Sequence, residues 1–232
     1  QALNSCKTWS LSSTSCEGWN TAAPGYDNRM QALNGTTRTG NDSLLDTATT
    51  SHRQELYAWL SRLPANSGTP LRGAARRAGR YVDEAVTALS ATSPYAENPP
   101  TTAGTYHACR RNIHLLMTDG IWNSDTITAF GNANSTTTDL PDDYTLPDGS
   151  TSWTPGRPYL DSNSDSLADI AFYYWAKDLS ATLDNNLTSL VIDRSGTLME
   201  QWKNPKNDPA EWQHMTTYAI GLGLSSTLTQ TG

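Results

Sequence analysis

The chain has 232 residues, of which 36% are hydrophobic and 17% charged, and a formal net charge of -7. That length supports one large domain or a piece of a larger protein, and the acidic balance with no Lys/Arg block excludes the basic footprint of a nucleic-acid binder. No run of about 18 apolar residues is present to span a bilayer, and the N-terminus lacks the basic and apolar regions of a signal peptide, so any export signal is expected upstream.

Residues 1–50 read as a polar loop region. Cys6 and Cys16 flank a Ser/Thr-rich stretch and are a candidate disulfide in an oxidising compartment, leaving Cys109 over. Three unpaired thiols are the alternative, and the spacing fits no zinc pattern. A short apolar stretch at 30–33 is a candidate edge strand. From 54 to 63, Leu56, Trp59, Leu60 and Leu63 fall at i, i+3, i+4 and i+7, the pattern of one buried helical face, and Pro64 ends it.

A second helix is predicted from about Pro70 to Leu89, with proline near its first turn. Its apolar stripe is Leu71, Ala74, Ala75, Ala78, Val82, Ala85, Val86 and Leu89. After a Pro-rich connection, residues 113–117 (IHLLM) form a short apolar run that reads as a buried strand of a parallel sheet. That strand ends by presenting Asp119. The following 121–160 stretch reads as a long loop insertion rich in Asp, Thr, Asn, Pro and Gly, and loops of that length are usually functional or disordered. A third helix is predicted over about 166–179, capped by Ser164 or Asp165, with Leu167, Ile170, Ala171, Tyr174 and Trp175 on its buried face. A polar loop then leads to a second core strand at 215–224.

Helices alternating with apolar strands argue for an α/β fold with a mainly parallel sheet over 51–232. Two or three strands are too few for three helices and leave unpaired edges, so further strands are expected from outside this chain.

Four blocks, ELYAWLSRLPANSGTPLRGA (55–74), CRRNIHLLMTDGIWN (109–123), DSLADIAFYYWAKDL (165–179) and EWQHMTTYAIGLGL (211–224), occur in an order and spacing that resemble the PilY/PilC family of type IV pilus tip-associated adhesins. The resemblance implies a von Willebrand A-type, Rossmann-like domain: a mainly parallel sheet flanked by helices, here without its opening strands and its last strand. It also implies a divalent-cation adhesion site at the C-terminal ends of the strands, the edge where open α/β sheets bind ligands. Thr69 matches the threonine of that site and Asp119 its third-loop aspartate, and hydroxyl and carboxylate oxygens suit Mg²⁺ or Ca²⁺. No DxSxS motif is present; Asp46-Thr47-Ala48-Thr49-Thr50 fits only with both serines replaced. A bland alternative makes Asp119 a loop carboxylate and Thr69 a helix cap.

Asp161, Asn163, Asp165 and Asp169 place oxygens at alternate positions, as calcium loops do, although Ser166 stands where such a loop needs glycine and the closing glutamate is missing. A capped helix start explains the same residues. Trp122, Trp175, Trp202 and Trp212 are candidates for a partner surface, with Trp175 assigned to the core, and His214 reads as a packing or hydrogen-bonding residue. No nucleophile or phosphate-loop pattern recurs, so catalysis is not expected; a polysaccharide hydrolase would need two converging carboxylates. The resemblance implies an extracellular adhesin at the pilus tip, exported through the periplasm, with minor pilins and a host or abiotic surface as partners. Its missing strands would come from another part of the precursor or another chain. The alternative is a structural pilus-tip module with no functional metal site.

Overall fold

The computed structural model describes the backbone of residues 6–9 and 16–19 and residues 70–86, 88–90, 93–97, 104–119, 127–132 and 145–222. The chain divides into two compact units, residues 1–68 with 89–106 and residues 69–88 with 107–232. The expected edge strand at 30–33, the helix at 54–63, Thr69 and Trp122 lie outside the described residues.

In the first unit, β1 (Cys6–Trp9) and β2 (Cys16–Trp19) pair antiparallel where a loop was expected. Four-residue strands are too short to show a period of two, which is why composition alone suggested loop. The register sets Cys6 opposite Trp19 and Cys16 opposite Trp9, so the ladder does not pair the two cysteines directly. Ala96 and Tyr106 form an isolated antiparallel bridge, and Tyr95 and Ala96 are buried.

The second unit contains α1 (Leu71–Val82), β3 (Asn112–Thr118), α2 (Leu167–Ala176), α3 (Leu198–Lys203) and β4 (Met215–Gly221). α1 ends seven residues before the predicted boundary. Asp83 is extended there and its carboxylate accepts the Ala85 N–H at 3.1 Å and Lys177 Nζ at 2.6 Å. The Glu84 N–H donates to Leu179 O at 2.7 Å, so both residues leave the helical path for tertiary partners. α1 buries Ala75, Gly79 and Val82, whereas the predicted stripe residues Ala74, Ala85 and Val86 are exposed.

β3 and β4 pair in parallel from Asn112 opposite Met215 to Thr118 opposite Gly221. The parallel expectation holds; burial on both faces does not. Leu116 is 7% exposed on the helix side, while Ile113, Leu115 and Met117 are 66%, 57% and 56% exposed on the other face, alongside Tyr218 and Ile220. The alternation follows from the period of two in a strand, and among the described residues helices cover only one side.

α2 carries apolar residues around most of its circumference because it lies between two cores. Ile170 and Tyr174 join Ala75, Val82, Leu116, Phe130 and Met215 in one cluster. Phe172, Trp175 and Ala176 join Leu146, Trp153, Ala210 and Trp212 in the other. A helix buried on two sides has no polar face to reveal its orientation. The described parts of the 121–160 insertion belong to these cores as well: Ile127 and Phe130 enter the first, Leu146 and Trp153 the second. The polar stretch before Trp212 contains α3, whose capping box pairs Thr197 with Glu200.

Candidate functional site

Parallel pairing brings the C-terminal ends of β3 and β4 to the same rim. The ladder runs one step further, with the Leu222 N–H donating to Thr118 O at 2.7 Å, so Asp119 emerges beside Leu222 and is exposed. That is the strand edge where open parallel sheets present ligand groups. Its proposed companion Thr69 precedes Pro70, which starts α1 without a side-chain cap. Among the described residues, no three His, Cys, Asp or Glu side chains cluster as a metal shell.

The 161–169 segment brings its oxygens together around backbone donors. Ser166 caps α2: its hydroxyl accepts the Asp169 N–H at 3.2 Å and the Asp169 carboxylate accepts the Ser166 N–H at 2.7 Å. The expected caps were one and two residues too early. Ser166 Oγ also donates to Asp161 Oδ2 at 2.7 Å, and Asp161 Oδ1 accepts the Asn163 N–H at 2.7 Å. Asp165 has a left-handed φ of 57°, a conformation that aspartate tolerates better than most residues. Its carboxylate accepts the Phe130 and Gly131 N–H groups at 2.7 and 3.1 Å, tying the insertion to the helix start. These bonds are those of a helix start docked on a loop.

A buried polar network lies at the opposite end of the strands. Arg111, just before β3, donates to Asp208 Oδ2 at 2.5 Å and also to Thr188 O. His214, just before β4, is 2% exposed, with Nδ1 2.7 Å from Trp212 O. Its Nε2 stands 2.9 Å from Asp208 Oδ1 but off the hydrogen-bond line, so that oxygen has a close imidazole neighbour without an aligned donor. Burial alone would raise the Asp208 pKa; His214, Arg111 and Trp175 outweigh it and hold the carboxyl below its ordinary value. Sequence reading gave His214 as a packing or hydrogen-bonding residue and missed Arg111 and Asp208, which are 97 residues apart in the chain.

Of the tryptophans, Trp175 and Trp212 are core, joined by a 2.9 Å bond from the Trp212 indole N–H to Trp175 O. Trp202 stacks on Trp212 at 5.8 Å between ring centres and remains partly exposed.

Over 183 residues, 78% of this chain, the sequence is 42% identical to a protein named Type IV pilus biogenesis factor PilY1 from Pseudomonas aeruginosa strain PAO1. Over those 183 residues this chain is similar to PilY1. The PilY1 of strain PAK matches equally, and that of strain UCBPP-PA14 is 40% identical over 178 residues. The chain spans about 15% of the length of these PilY1 relatives. No protein-family profile matches the chain, and no solved structure does. No helix among the described residues is long and apolar enough to cross a membrane.

Proposed function

We propose that this chain is a von Willebrand A-type binding module of a type IV pilus-associated protein, acting by contact and not by catalysis. The observation that carries the reading is the parallel β3–β4 pair, which brings Asp119 to the C-terminal rim of the sheet. There Asp119 and Thr69 would contribute to a Mg²⁺ or Ca²⁺ site, the cation keeping a position open for a carboxylate of the partner. The PilY1 names support the pilus setting, hence an extracellular location at the pilus tip with minor pilins and a surface ligand as partners. Strands from elsewhere in the precursor or from another chain would extend the sheet, which among the described residues has two strands.

Calorimetric titration of the full chain with Mg²⁺ and Ca²⁺, beside Asp119→Ala, tests this. Saturable heat that disappears in the variant supports the adhesion site, and heat that persists in it sinks the assignment of Asp119. Absence of heat in both favours the second reading, a structural pilus-tip module without a functional metal site. That reading draws on the absence of a DxSxS motif and on the exposed apolar face of β3, a surface suited to assembly.

A further inference from the structure

β3 occupies one edge of β4, and the other edge is open. The Leu222 N–H points to Thr118 O, and successive residues of a strand turn their backbone groups to opposite sides, so Tyr218 and Ile220 also bond toward β3. Thr217 and Ala219 therefore direct their N–H and C=O away from it. The sheet of the described residues has no third strand on that side, and among those residues no backbone group meets Thr217 or Ala219 there. Unpaired donors and acceptors along a strand are a template for another chain.

A partly open cavity of about 360 Å³ follows this edge, lined by the four consecutive residues 216–219. Alternate side chains of a strand leave on opposite faces, so four in a row border one cavity only where it runs along the strand edge. Ala168 and Ala171 of α2 line the same cavity, and their short side chains keep open a slot that larger ones would close.

An occupant of this slot must offer backbone acceptors and donors at the spacing of alternate strand residues, about 6.6 Å, and an apolar group toward the two alanines. An extended peptide does both, whereas a helix pairs its backbone groups internally. We propose that the open edge of β4 binds an extended segment of a partner polypeptide, which pairs with the backbone of Thr217 and Ala219 and sets an apolar side chain against Ala168 and Ala171. Strand addition of this kind takes affinity from main-chain bonds and specificity from alternate side chains. The inference rests on the binding-module reading, in which strands from outside extend the sheet, and adds to it the edge, the contact residues and the side-chain pattern. It does not draw on the cation at Asp119.

NMR of the full chain titrated with the acetylated, amidated pentapeptide Thr-Val-Thr-Val-Thr tests it. The peptide should bind saturably. At ten times its Kd the Thr217 and Ala219 amides should exchange with solvent about tenfold more slowly, with Tyr218 and Ile220 unchanged. N-methylation of all five peptide amides should abolish binding, and aspartate in place of both valines should weaken it at least about tenfold by setting charge against an apolar wall. Ala219→Pro removes a donor from the open edge while sparing the β3 ladder, and should lose the binding. Should that variant not fold, Ala168→Leu, which narrows the slot from α2, must weaken binding instead. The proposal is overturned by no saturable binding, by equal binding of the N-methylated peptide, by protection that spares Thr217 and Ala219, or by full binding in Ala219→Pro or Ala168→Leu. Protection of those two amides that rises with protein concentration alone would put a second copy in the slot and overturn the partner assignment. Cation heat that is lost in Asp119→Ala, together with no peptide binding, would remove this inference and leave the binding module standing.

Discussion

Gly79 of α1 lies directly against the ring of Tyr174 on α2: a Cβ at position 79 would stand 2.3 Å from Cδ2 and Cε2. The Tyr174 hydroxyl then reaches Arg76 O at 3.2 Å, one turn back along α1. The aromatic ring therefore fixes both the spacing of the two helices and their relative position along the axis.

Gly79→Ala should destabilise the protein although alanine is the better helix former. Propensity alone predicts a gain of about 1 kcal/mol, but overpacking against Tyr174 costs typically about 1–3 kcal/mol. Thermal denaturation should show a lower Tm, and the double variant Gly79→Ala with Tyr174→Leu should lose less than the two single costs combined. A Tm raised by Gly79→Ala would show that the helices are not in contact at this point.

The Asp208 network sets a pH dependence whose sign follows from the depressed carboxyl. A group whose pKa is lower folded than unfolded stabilises fully above the unfolded value, about 4 for aspartate, and loses that contribution as pH falls through the lower folded value. Urea midpoints measured from neutral pH into acid should therefore fall below about pH 4, and Asp208→Asn should flatten that fall. Arg111→Met should cost more than an exposed pair would, up to about 3 kcal/mol, because the Asp208 side chain is only 9% exposed, with His214 beside the carboxylate limiting the loss.

The caps give a smaller and separable test. Ser166→Ala removes the acceptor of the Asp169 N–H and the donor to Asp161, and should cost about 0.5–2 kcal/mol. Ser164→Ala, at one of the two cap positions that sequence reading offered, should be nearly silent in the same denaturation experiment.

What could be read in advance was whatever the chain specifies locally. β3 and β4 were legible as short apolar runs, α1 and α2 as helical segments, and the parallel order as their alternation. The ends of α1 and α2 were not, because Asp83, Glu84 and Asp165 leave regular structure for partners distant in sequence: Lys177, Leu179 and the 130–131 amides. α3 was legible and overlooked: Thr197 followed three residues later by Glu200 is a capping-box signal. Asp119 followed from the strand preceding it, whereas Arg111 and Asp208 meet only through the fold.

The two faces of β3 provide the last test. Leu115 and Leu116 are neighbours of identical chemistry, yet Leu115 is 57% exposed and Leu116 7%. Leu116 packs in the core with Ala75, Ile170 and Met215, so Leu116→Ala should cost about 2–5 kcal/mol through lost burial and the remaining void. Leu115→Ala removes side-chain surface that is already largely in water and should cost under about 1 kcal/mol. Chemical denaturation of the two variants at equal protein concentration measures the difference, and Leu115→Lys should be tolerated where Leu116→Lys is not. Equal losses at the two positions would mean that the outer face of β3 is covered in solution. In that case Ile113, Leu115 and Met117 could not serve as an assembly surface.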